Sequence, residues 1–146
     1  MAIEKWIGSA SLGLFALFAS EMASIYNYML QSPVESEFGI VFEADPKIFQ
    51  FISIGAAPAS VMAAVSFILT RRYGSPQIGA MILGGSVAMA AGMVFCYMLS
   101  DQIDPLYRTW TTDFTPPLFL VLSIPVAVFG ALLFRTKPRR RKKDYL

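Results

Sequence analysis

Histidine is missing from this chain, which removes the commonest metal ligand, the usual axial ligand of haem and the general base most used near neutral pH. A single cysteine, Cys96, excludes an intrachain disulfide and the paired-cysteine spacings of zinc sites. It lies inside an apolar run and reads as a buried thiol. Charged side chains make up only 15% of the 146 residues while 55% are hydrophobic, too little charge to solvate a globular surface. No phosphate loop, nucleophile elbow or histidine-glutamate metal motif occurs, so an independent enzyme has no site to stand on. No catalytic, cofactor-binding or metal-binding residue is therefore assigned.

The residues that remain suit lipid better than water. Mean hydropathy is +0.55, and the apolar residues gather into stretches at 6–30, 48–69, 78–99 and 118–134. A helix rises about 1.5 Å per residue, so roughly 20 apolar residues cross a hydrocarbon layer about 30 Å thick. In that layer every backbone N–H and C=O needs an internal partner, which makes continuous apolar segments of this length helices. The expected fold is all-α: a four-helix transmembrane domain over 1–134, followed by a basic tail over 135–146. Lys5 ahead of an apolar run, with the small residues Ala19 and Ser20, has the look of a signal peptide. The run is longer than most signal-peptide cores, so a retained helix is expected.

Orientation follows from lysine and arginine, because positively charged loops stay on the cytoplasmic side. In an alternating four-pass thread, Lys5, Arg71, Arg72 and the cluster from Arg135 to Lys143 share one side. Glu35, Glu37, Glu43, Asp45, Asp101, Asp104 and Asp113 fall on the other, with only Lys47 and Arg108 as cations. Both chain ends are expected in the cytoplasm, and such consistent bias argues against dual topology. The setting expected is a prokaryotic plasma membrane. The outer carboxylates match no calcium loop, which needs oxygen ligands at alternating positions around a central glycine, and read as a solvated surface.

Glu21 is the ionisable residue that stands well inside a span. A charged carboxylate there costs about 2.5 kcal/mol or more, so such groups face a bundle interior, find a partner or carry a proton. Ser20, Ser24 and Tyr28 are its candidate partners within the chain, beside a group on a neighbouring subunit. Small residues recur every fourth position: Gly55, Ala59 and Ala63; Gly84, Ala88 and Gly92; and Ala16, Ser20 and Ser24. Lipid tails are as apolar as leucine, so helices associate in membranes through close packing along such rows. Packing inside the chain is the first expectation and binding of a second protein the other. Pro58 and Pro125 interrupt their helices and predict kinks. Methionine suits Cu(I), but the methionines are scattered, and at helical spacing they read as adaptable packing material. The tail residues Arg139, Arg140, Arg141, Lys142 and Lys143 are expected to dock on anionic lipid, at about 1 kcal/mol per cation, or on an acidic partner surface. No nucleic-acid partner is expected.

Four helices, substantial outer loops and the tail from residue 135 to 146 resemble the small accessory subunits of archaeal ammonia monooxygenase, a copper membrane monooxygenase. The resemblance concerns layout and carries over no site residue. In that family copper is held largely by histidines, so the resemblance implies a supporting subunit, without cofactor, packed against larger membrane subunits. A competing resemblance is to the small multidrug resistance transporters, which have four helices and a membrane-embedded glutamate in the first. It implies a proton-coupled transporter using Glu21. The long outer loops, basic tail and fixed orientation depart from that family.

Overall fold

The computed structural model describes residues 2–30, 44–103, 105 and 108–135, and these are helical apart from short turns. Helix α1 runs Ala2–Tyr28. Helix α2, Ala44–Phe51, passes through a π-helical turn, Ile52–Ala56, into α3, Ala57–Thr70. Helices α4, Pro76–Ser100, and α5, Trp110–Arg135, complete the chain. Four stretches are long and apolar enough to cross a membrane: Ile3–Tyr28, Ile48–Thr70, Pro76–Ser100 and Trp110–Arg135. Only 28–39% of each apolar window is buried inside the bundle. So wide an apolar exterior has no stable place in water and identifies a multi-pass membrane protein.

The spans form a ring in which α1 lies between the α2–α3 span and α4, α4 packs on α5, and α5 returns to the α2–α3 span. Close approach follows the small residues. A Cβ on Gly92 would sit 2.7 Å from Ala19 Cβ, one on Gly85 2.7 Å from the Phe15 ring, and one on Gly55 2.9 Å from Phe18 Cβ. Gly79 and Gly130 meet backbone to backbone between α4 and α5. Hydroxyls tie spans together where carbonyls are reachable: Ser11 donates to the Ala59 carbonyl at 2.8 Å and Ser86 to the Ser123 carbonyl at 2.9 Å.

The tight turn between α3 and α4 is written in its residues. Gly74 takes φ 64°, a left-handed conformation that glycine adopts without steric cost, and its N–H caps the Thr70 carbonyl. Ser75 then accepts from the Ile78 N–H as N-cap, with Pro76 in the first helical turn. The N-terminal part of α1 joins this end, because Gly8 borders Ile78 and Met81 and the Ser66 hydroxyl reaches the Glu4 carbonyl. So does the C-terminal part of α5, through Gly130 and Leu133 against Gly79. Lys5, Arg71, Arg72 and Arg135 are exposed at this turn end, and Asp101, Arg108 and Asp113 at the opposite one. Exposed aromatics mark both levels, Trp6 and Tyr73 at the turn end and Tyr28 and Trp110 at the other.

The structure departs from the sequence reading most at two places. The fourth span begins at Trp110, not at 118, and contains Pro116 and Pro117. Thr109 and Thr112 explain the early start: each side-chain oxygen accepts from the other residue's backbone N–H, a reciprocal cap that closes the first turn. The second span departs from α-geometry through the π turn, where the Ala57 N–H reaches back to the Ile52 carbonyl. This wider turn comes just before Pro58, which has no N–H to give the Ile54 carbonyl.

Candidate functional site

The structure turns the small-residue rows to different sides. Gly55, Ala59 and Ala63 are buried, and Gly55 and Ala59 meet α1 at Phe18 and Ser11. Gly92 and Gly84 meet α1 at Ala19 and Leu12, and Ala88 between them is half-buried. The row on α1 points away from the bundle: Ala16, Ser20 and Ser24 are all exposed. Ser9, Gly13 and Asn27 continue it along the same helical face, also exposed; the Ser9 hydroxyl turns to the Met81 sulfur of α4 at 3.5 Å, whereas a Cβ added to Gly13 would meet nothing within 4 Å. A helix advances about 100° per residue, so positions 9, 13, 16, 20, 24 and 27 form one straight stripe.

The contrast with the other spans is chemical. The outward residues of α3 include Val61, Val65 and Ile68, those of α4 include Val87, Val94 and Phe95, and those of α5 include Val121, Leu122 and Ile124. These spans present mostly large apolar groups to lipid, although the second also exposes a shorter row, Ser53, Ala57 and Ser60. Between Ser9 and Asn27, Leu17 is the one large apolar residue on the exposed face of α1. Two observations reinforce each other: this span has the lowest hydropathy of the four, 1.3 against 1.9, 1.9 and 2.4, and its polar character is concentrated on the side that its own bundle leaves uncovered.

Glu21 flanks the stripe. It lies one helical turn beyond Phe18, the residue packed on Gly55, and so beside the second span. The side chain is half-buried; its Oε2 is shielded from solvent and has no hydrogen-bond partner among the described residues. An unsatisfied oxygen in a low-dielectric setting is costly, and more so if the carboxyl is ionised. Ser20 and Ser24 point outward with the stripe, away from the interior.

Elsewhere the candidate groups are structural. Met22, Met29, Met89, Met93 and Cys96 are buried in the core as packing residues. No cluster of metal-ligating His, Cys, Asp or Glu occurs among the described residues. Asp101 and Asp113 converge on Arg108, with N–O separations of 3.9 and 3.2 Å, and all three side chains are about half exposed or more. The tail residues Arg139 to Lys143, and the outer acids Glu35, Glu37, Glu43 and Asp104, lie outside the described residues. Comparison with protein-family models, with curated proteins and with solved structures returned no match.

Proposed function

We propose that this chain is a non-catalytic accessory subunit of a larger membrane protein complex, docked through the outward stripe of α1. The observation that carries this reading is the run of four exposed small or hydroxyl-bearing residues, Gly13, Ala16, Ser20 and Ser24, where the other spans turn mostly large apolar groups to lipid. A row without side-chain bulk forfeits dispersion contacts with lipid tails and regains them when another helix approaches closely. The partner is a transmembrane helix of a larger subunit. Archaeal ammonia monooxygenase is the complex that the resemblance of layout suggests, and there this chain is a supporting subunit with no copper of its own. The turn end, with Lys5, Arg71, Arg72 and Arg135, faces the cytoplasm of a prokaryotic cell. The basic tail beyond it rests on anionic lipid.

Extraction with native lipid tests the reading. A stoichiometric membrane partner is expected to co-purify with the wild-type chain and with a Val87→Leu control, and to be lost when Ser20 and Ser24 are replaced by leucine. Recovery of the chain alone, or partner binding indifferent to those substitutions, contradicts it. A second reading rests on the orphan Oε2 of Glu21: a proton-coupled transporter in which this carboxyl binds and releases the proton. It requires that Glu21→Gln abolish proton-driven uptake in vesicles, and unchanged uptake rejects it.

A further inference from the structure

The outer end of α5 is built unlike the rest of that helix. Pro116 and Pro117 are consecutive residues without backbone N–H groups, so the carbonyls of Thr112 and Asp113, four residues earlier, lose their helical donors. Asp113 is exposed at the outer end. Thr112 is fully buried, and its carbonyl accepts a hydrogen bond from elsewhere. The donor is the Tyr26 hydroxyl of α1, at 2.5 Å. A side chain 86 positions away in sequence thus stands in for the N–H that Pro116 lacks.

The residues before the prolines have hydrogen bonds of their own, beside the helix that continues through them. Thr109 and Thr112 close the first turn reciprocally, and the Thr115 hydroxyl returns to the Thr111 carbonyl at 2.6 Å. Arg108 pairs with Asp113 and, at 3.9 Å, with Asp101 at the end of α4. These exposed pairs hold weakly, at about 0–1 kcal/mol each. Tyr26 is wholly buried and its hydroxyl ties α1 to this turn. A doubled proline is where a helix bends most readily.

We propose that residues 110–115 form a hinged outer cap that pivots at Pro116 and Pro117 and is latched to the first span by the Tyr26 hydroxyl. The latch places the outer end of the fourth span under the control of the first. This inference does not depend on what docks against α1.

Trp110 provides the probe. It is stacked on Phe114 with ring centroids 4.8 Å apart and is 74% exposed. The chain has 2 tryptophans, so Trp6→Phe leaves Trp110 as the sole reporter. Time-resolved fluorescence anisotropy is measured on the full chain in lipid nanodiscs. Tyr26→Phe keeps the ring and removes the donor, and is expected to lower the residual anisotropy of Trp110. Adding Pro116→Ala returns an N–H to the Thr112 carbonyl and is expected to restore it. Unchanged anisotropy in Tyr26→Phe, or an equal loss with and without Pro116→Ala, overturns the proposal. If Tyr26→Phe fails to fold, the double variant must recover the helix content of the parent, and failure to do so overturns it equally.

Discussion

Gly92 and Gly84 lie on one row of α4, yet they have different margins. A methyl group on Gly92 would come within 2.7 Å of Ala19 Cβ and 3.1 Å of its Cα, so α1 and α4 must separate to admit it. At Gly84 the nearest atom is the end of the flexible Leu12 side chain, at 3.5 Å. Overpacking of this kind costs about 1–3 kcal/mol, whereas alanine in a helix gains up to about 1 kcal/mol over glycine. Gly92→Ala is therefore expected to lower resistance to denaturing detergent by about 1–3 kcal/mol, and Gly84→Ala to leave it unchanged or raise it. The rows were legible in the sequence as a four-residue period, but their direction was not. Period alone says that Ala16, Ser20 and Ser24 share a face. Only packing reveals that this face looks outward while Gly55 and Gly92 look inward. Glu21 was equally visible as an intramembrane carboxylate. That its Oε2 has no partner among the described residues depends on which spans surround it, and spacing along one helix cannot supply that.

At the level of helices, hydropathy located all four spans but misplaced the start of the last. Paired prolines at 116 and 117 look like a boundary because proline breaks helices, and the apolar run begins just after them. The helix nevertheless starts at Trp110, for two reasons. The signal for one was present: Thr109 and Thr112 have the spacing of a reciprocal cap. The other, the Tyr26 hydroxyl at the Thr112 carbonyl, joins residues too far apart in sequence to be read from either. Thr109→Val keeps the shape and removes the cap. It is expected to cost about 1 kcal/mol and to speed hydrogen exchange at the Thr112 amide, while amides beyond Pro117 keep their protection. The π turn at Ile52–Ala56 was legible only as the kink that Pro58 demanded.

For the whole molecule, the bundle separates its charge between its two ends and exposes an apolar girdle between them. Cys96 is buried and silent, so Cys96→Ser gives a clean background for single cysteines at Arg72 and Asp101. A membrane-impermeant maleimide added to intact cells is expected to label the Asp101 site and to label the Arg72 site only after lysis. The decisive surface is the side of α1 that its own bundle leaves open. A small diazirine-bearing residue placed at Ser20, and separately at Val61, Val87 and Val121, reports by photo-crosslinking in native membranes what each face touches. Docking through the stripe predicts a discrete protein adduct at Ser20 and lipid adducts at the other three. Lipid alone at Ser20, or the same protein adduct at all four positions, would contradict it.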